Sequence, residues 1–373
     1  MHTDRLLLTM TIAAATACCS LTSCLDDETL GMDDSHMGNF EACWRAMDEH
    51  YCFFDQKNVD WDSVYAVYAP YFRDSVDNVG DEFFLLADML AEVRDGHVNL
   101  YSSFNTARYW AWYEDYDLNF DPNLVERYYL GTDYWITSGI SYTMLKDSVA
   151  YMRYSSFSNT IGEANLDYVL AALRQAKGLI IDVRNNGGGA LTNVPVLASR
   201  FCTERRAYSY MMHKTGKGHS DFSDPQPLYL EPDPYSYNWD ASVQPVVVLT
   251  NRQCYSATNN FVAAMRSLDG TMTIDSTGQK HPKMIKTLGD RTGGGGGMPF
   301  ESVLPNGWVV RFSACPILDH RKRQTEDGIE PDMKVSMDSI RMFEQHVDDI
   351  IDSARAYINI NTRMTYPKKE TEE

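Results

Sequence analysis

Two stretches constrain this chain more than anything else in it. Gly178 to Val183 and Val243 to Thr250 are short and largely apolar, without the alternation of a half-exposed strand. A strand of that kind has both faces covered, the habit of parallel sheets flanked by helices. Each stretch ends in a break followed by a helical pattern. Arg184-Asn185-Asn186-Gly187-Gly188-Gly189 precedes a helix reaching about Phe201. Asn251 to Ser256 precedes Ala257 to Leu268, where Phe261, Met265 and Leu268 share a face. Val149 to Tyr154 adds a strand and Ile161 to Ala176 an amphipathic helix. The alternation predicts an α/β core over residues 148–340, followed by a C-terminal helix and polar tail over 341–373.

Upstream the period changes. Phe40, Trp44 and Met47 fall on one helical face, as do Val64, Tyr65 and Tyr68, and then Phe84, Leu85, Met89 and Leu90. Breaks at Asn58 to Asp62 and Asp74 to Asp81 predict a cap subdomain of three helices over 37–100. Residues 101–147 are aromatic-rich, with short alternating runs such as Arg127 to Leu130, and predict a strand-rich linker. At the N-terminus, Arg5 opens the apolar run Leu6 to Ala17, which is too short to span a bilayer and fits a secretory signal. It ends at Leu21-Thr22-Ser23-Cys24, which resembles the bacterial lipobox. That resemblance implies removal of residues 1–23, lipidation of Cys24 and a tether over 24–36. Asp26-Asp27-Glu28 resembles the surface-export signal of some Gram-negative lipoproteins, so the outer membrane is the expected location. A plain cleaved signal with an incidental cysteine is the alternative.

A net charge of −19 argues against nucleic acid as a partner, because phosphate binding needs a basic surface. Of the eight cysteines, five lie beyond Cys24: Cys43, Cys52, Cys202, Cys254 and Cys315. Their spacing offers no Cys-x-x-Cys or Cys/His metal pattern, so they read as small buried residues, with Cys43–Cys52 the one bridge to consider. No cofactor is signalled.

The two junctions carry the chemistry. Three glycines after a buried strand let backbone N–H groups face a cavity, either for phosphate or for an oxyanion. No Walker lysine and serine follow, which disfavours phosphate; a plain tight turn is the bland alternative. Ser256 stands where strand gives way to helix, so its hydroxyl lies near the helix's positive end with the Ala257 N–H beside it. A serine there is more often an N-cap, and only the pair of junctions together favours a nucleophile.

In that order the motifs resemble peptidase family S41. Asp182 to Gly189 is similar to its glycine loop, and Asn251 to Thr258 to its nucleophile motif. Gly289-Asp290-Arg291-Thr292-Gly293-Gly294 and Gly328-Ile329-Glu330-Pro331-Asp332 are similar to its third and closing motifs. Asp60-Trp61 and Asp95-Gly96-His97 are similar to its N-terminal cap. The resemblance implies a crotonase/ClpP-like ββα core with a helical cap, and a linker too short for the PDZ domain that many tail-specific members insert. It implies hydrolysis of peptides or unfolded segments through an acyl-enzyme on Ser256, with oxyanion donors from Gly188 (or Gly189) and Ala257. Bacterial tail-specific members use a lysine base whose position falls near Gly295 here. The tricorn-like branch uses a cap histidine and a glutamate near the closing motif, which His97 and Glu326 match. Histidine suits the task because it titrates near neutral pH. Lys280, 24 residues beyond Ser256, is the rival base. A binding protein on the same fold, having lost catalysis, is the alternative function. The expected partners are a peptide or protein substrate and, through Cys24, a membrane.

Overall fold

The computed structural model describes residues 33–364 apart from Asp115. The expected signal over 1–23, the expected anchor Cys24, the tether up to residue 32 and the end of the polar tail lie outside the described residues.

The apolar strands Leu179–Asp182 and Val246–Thr250 are buried at every position and lie side by side in a seven-stranded sheet. Their parallel register sets Leu179 opposite Val246 and Asp182 opposite Leu249, so both chains leave the sheet at the same edge. Parallel pairing continues outward through Ala150–Tyr154 on one side, and through Ile285–Gly289 and Met333–Lys334 on the other. Ile140–Met144 and Trp135–Thr137 add two antiparallel strands at one edge. Helices Glu163–Ala172, Asn193–Ala198 and Ala257–Leu268 cover one face, packing Leu166, Leu197 and Phe261 against Ile181 and Val248. Helix Asp349–Asn361 covers the other, with Ile351 and Ile358 against Ile180 and Val247. Burial of each such side chain contributes roughly 1.5–3 kcal/mol, and coverage on both faces is what the unalternating strands required.

A second sheet runs Thr106–Arg108, Asn99–Tyr101, Val309–Asp319, Arg206–Met211, Gln226–Leu230, with Gly297–Val303 also paired to Val309–Asp319. The cap packs on it. Helices His36–His50, Trp61–Asp74 and Val79–Ala91 start at Ser35, Asp60 and Asn78, whose side chains accept from the first-turn N–H groups. Phe40, Met47 and Leu86 share one core with Val310 and Phe312 of the sheet.

Four readings need correction. The cap holds a fourth helical turn, Phe54–Lys57, closed by Asn58 in the left-handed region. The segment 101–147 is not a separate linker, because Thr106–Arg108 belongs to the second sheet and 135–144 to the edge of the first. Within it, Arg127 to Leu130 is no strand: Asp121 caps a helical turn opened by Pro122, which continues as a π-helical turn, Val125–Leu130, burying Val125 and Leu130. The five cysteines are buried free thiols, so Cys43 and Cys52 form no bridge.

A buried ion cluster fixes where the glycine loop begins. Arg184, fully buried, grips Asp182 through Nε and Nη2 at 3.0 and 2.7 Å and reaches Asp348 at 2.9 Å. The Tyr151 hydroxyl donates to Asp182 at 2.8 Å, and Asp348 caps helix Asp349–Asn361. Burial alone would raise the pKa of Asp182, but the Arg184 guanidinium overrides it and holds that carboxyl below its usual value. Arg184→Ala leaves two carboxylates buried without their cation, so we expect a loss of about 3–5 kcal/mol in urea unfolding. A loss below about 1 kcal/mol would show that the cluster does not anchor the loop.

Candidate active site

The two junctions are tied to each other before any catalytic atom is considered. Asn251 Oδ1 accepts from the Asn185 N–H at 3.0 Å, and the Cys254 thiol donates to Val183 O at 3.0 Å. The Tyr255 N–H then donates to Asn186 O at 3.2 Å, and the Ser256 N–H to Gly294 O at 2.9 Å. These bonds hold Ser256 at φ 57°, ψ −120°, a region that costs a non-glycine residue of order 1–3 kcal/mol. An N-cap residue sits in the extended region and lends its side chain to the helix; Ser256 does neither. The bland reading of this serine therefore fails, and its half-buried hydroxyl stands on a strained strand-to-helix turn.

The glycine loop closes against it. Gly188 has φ 101°, and a Cβ there would lie 2.8 Å from Ser256 Cβ and 3.1 Å from Ala257 N, so only glycine fits. The Gly188 N–H, however, donates to Asn186 Oδ1 at 3.0 Å. Among the described residues the N–H groups of Gly189 and Ala257 have no hydrogen-bond acceptor. Of the three expected donors, Gly188 contributes room, and the other two remain available.

His97 is 4% exposed and is placed by its backbone: its N–H donates to Asp95 Oδ1 at 2.7 Å. The ring packs on Tyr255, with centroids 4.8 Å apart, and Nδ1 is buried without a hydrogen bond. Burial pushes its pKa down to about 4; Asp95 opposes the shift, while Arg311 and Lys57 reinforce it. His97 thus abuts the residue next to Ser256, but no hydrogen bond joins imidazole and hydroxyl. Glu326, also buried, meets the Lys57 ammonium at 2.9 Å and accepts from the Gly296 N–H at 2.8 Å, rather than bonding to His97. Burial and the neighbouring Asp95 push its pKa up to about 8.

Sequence reasoning missed three participants. Asp95 accepts not only from His97 but from the hydroxyls of Tyr51, Tyr255 and Ser313, at 3.1, 3.2 and 2.8 Å. Its signal was the Asp95-Gly96-His97 motif itself. Lys57 rides on the short cap turn and had no signal. Trp112 stacks on Tyr255 at 4.2 Å, and a Cβ on Gly96 would come within 2.6 Å of its ring.

That stack also explains the missing lysine. A Cβ at Gly295 would lie 2.6 Å from the Tyr255 ring, so the aromatic occupies the path a side chain from this position would take. Lys280 does not replace it. It is exposed on a hairpin reached from Leu268, at the far end of a 12-residue helix that begins beside Ser256, about 18 Å away. Against the stack of Trp112 and Tyr255 lies a cleft of about 320 Å³, bordered also by Lys57, Gly96, Gly293 and Glu326; Ser256 and His97 are not in its lining.

Residues 148–335 match the model of peptidase family S41, and residues 32–91 that of the tricorn protease C1 domain. The chain is 48% identical to a candidate peptidase from Parabacteroides merdae whose crystal structure is known, covering 87% of this chain and 97% of that one with a TM-score of 0.78. A mutant of CPAF (12% identity, 89% and 99% covered, TM-score 0.63) shares the fold. So does the photosystem II D1 C-terminal processing protease (16%, 82% and 94%, TM-score 0.50).

The His97 ring should remain neutral through pH 5–7 in an NMR titration, with its midpoint near 4. Because an unfolded histidine titrates at about 6.5, this ring's contribution to stability is present above that pH and lost as pH falls through 4. A midpoint at or above about 6.5 would contradict a buried, unpaired imidazole.

Proposed function

This chain belongs to peptidase family S41, and we propose that it is a serine peptidase that cleaves peptides or unfolded protein segments through an acyl-enzyme on Ser256. The observation that carries the reading is the Ser256 hydroxyl, freed from capping by a strained backbone, with Gly188 packed against it and the N–H groups of Ala257 and of the next loop residue, Gly189, unengaged. Ser256 Oγ attacks the scissile carbonyl carbon as its proton passes to the neutral His97 imidazole. The carbonyl oxygen takes up the negative charge and is met by those N–H groups, while the positive end of helix Ala257–Leu268 adds to the field. His97 then returns the proton to the leaving amine, and water repeats the sequence on the acyl-enzyme.

Substrate must draw imidazole and hydroxyl into hydrogen-bond reach, a closure common in sites that tighten on binding. Asp95, already fastened to the His97 backbone, offsets the charge the ring gains. Glu326 serves as a positioning group that links the cap to the glycine run through Lys57 and the Gly296 N–H. The missing lysine does not argue for a binding-only protein, because Tyr255 fills that space and brings a histidine with it. We further propose lipid attachment at Cys24, on the outer membrane of the cell envelope, from the lipobox; among the described residues no helix is long and apolar enough to cross a membrane.

Digestion of a peptide library, read by mass spectrometry, tests the enzyme. Ser256→Ala should lower cleavage at least ~10³-fold and His97→Ala at least ~10²-fold, whereas Lys280→Ala should stay within about twofold. Undiminished cleavage by folded Ser256→Ala would refute the assignment. For the anchor, Cys24→Ala should abolish metabolic palmitate labelling and release the protein from membranes; a variant still labelled and still sedimenting would refute it.

A further inference from the structure

The imidazole of His97 lacks the partner that aims a triad histidine. In a triad the ring nitrogen away from the nucleophile donates to a carboxylate, which fixes both the tautomer and the tilt of the ring. Here Nδ1 is buried without a hydrogen bond, and the ring makes none among the described residues. The backbone of His97 is held, because its N–H donates to Asp95 Oδ1. What is left to hold the ring is packing, and the aromatic ring against it is that of Tyr255, tilted by 58° at 4.8 Å.

Tyr255 is itself closely held. Its hydroxyl donates to Asp95 Oδ1 at 3.2 Å, the same oxygen that takes the His97 N–H, while Oδ2 serves Tyr51 and Ser313. Trp112 stacks on its ring at 4.2 Å and 28°. Three glycines make room for the stack. A Cβ on Gly96 would lie 2.9 Å from the Tyr255 hydroxyl, one on Gly295 2.6 Å from its ring, and one on Gly293 2.5 Å from the Trp112 ring. The Tyr255 N–H is fixed to Asn186 O, and Ser256 follows directly in the chain. One side chain therefore touches the base, shares the carboxylate that holds the base, and is joined by a peptide bond to the nucleophile. An aromatic that merely filled the core would need none of those links.

We propose that Tyr255 is the positioning residue for His97: its ring sets the tilt of the imidazole for Ser256, and its hydroxyl engages the Asp95 oxygen that also holds the histidine's backbone. The proposal rests on the peptidase reading for the role of His97 as base. Because the chain runs from Tyr255 straight into Ser256, a shift of that turn on substrate binding carries the ring, and the imidazole packed on it, along with the nucleophile. Trp112 and Tyr255 both border the 320 Å³ cleft, so an occupant of that cleft bears on the stack rather than on the base.

Histidine NMR, together with kinetics on a peptide selected by the library digestion, tests the role. The charged groups facing the His97 ring are Asp95, Arg311 and Lys57, and of these Tyr255→Phe alters the hydrogen bonds of Asp95 alone. Losing one donor leaves more of that carboxylate's charge to favour a protonated ring, so the midpoint near 4 should rise by about half a pH unit or more. The acid limb of kcat/KM should move up with it. Tyr255→Leu, which removes the ring, should lower kcat roughly 10–100-fold with KM within about threefold. In protein already carrying His97→Ala, the same substitution should change kcat less than about twofold, because the residue it acts through is gone. If the leucine variant does not fold, Tyr255→Phe carries the test through the midpoint and the acid limb. A midpoint unmoved in folded Tyr255→Phe, or equal losses from Tyr255→Leu with and without His97, overturns the positioning role, and cleavage by the unmutated protein then leaves the peptidase standing. A raised midpoint in a protein that cleaves nothing removes the peptidase and leaves the link from Tyr255 to His97.

Discussion

The hydrogen bond from the Ser256 N–H to Gly294 O, with its neighbour from Tyr255 to Asn186 O, is the constraint on which the rest of the site depends. Together they bend the chain where a buried strand becomes a helix and lock Ser256 at a positive φ. Once that bend exists, its surroundings are dictated. The glycine loop must approach with no Cβ at 188, and the run 293–297 must pass beneath Tyr255 with none at 295. What reads in the sequence as low complexity is a strip of backbone pressed against the turn at Tyr255 and Ser256. A strain of a few kcal/mol persists only where neighbours over-determine it, and here both loops and the Asn185–Asn251 link do so.

Charge is managed around that bend in two layers. Below it, Arg184 bridges Asp182 and Asp348 in a fully buried cluster, a structural device that ties the loop to the C-terminal helix. Above it, the cap cation Lys57 pairs with Glu326 and Asp327, while buried Asp95 holds the His97 backbone and the hydroxyls of Tyr51, Tyr255 and Ser313. Burial and the neighbouring Asp95 push the Glu326 carboxyl up to about 8, while burial pushes the His97 imidazole down to about 4. The cap is thus not merely a lid on the second sheet: Lys57 and His97 reach the catalytic edge from its side of the molecule.

Much of this was legible before any coordinates, and for a reason. Strands buried on both faces announce themselves by lacking alternation, and the residues that end them, Gly187 to Gly189 and Ser256, stand out because nothing else there explains them. The expected α/β core and helical cap are what the residues form. Features defined by contacts across the fold were not legible. Lys57 sits on one helical turn too short to have a period, and the stack of Trp112, Tyr255 and His97 joins three distant positions. Asn186 taking the Gly188 N–H, which leaves that of Gly189 unengaged in its place, is a side-chain choice no spacing records. The run Arg127 to Leu130 misled because Asp121 and Pro122 start a helical turn ahead of it, outranking a short alternation.

The central claim is that Ser256 is a nucleophile made reactive by His97. Reaction of the folded protein with a fluorophosphonate, followed by peptide mapping of the adduct, tests it without knowledge of the natural substrate. The account predicts one adduct, on Ser256, forming at least ~10²-fold more slowly in His97→Ala. Modification of a different serine, or a Ser256 adduct that forms equally fast without His97, would contradict it.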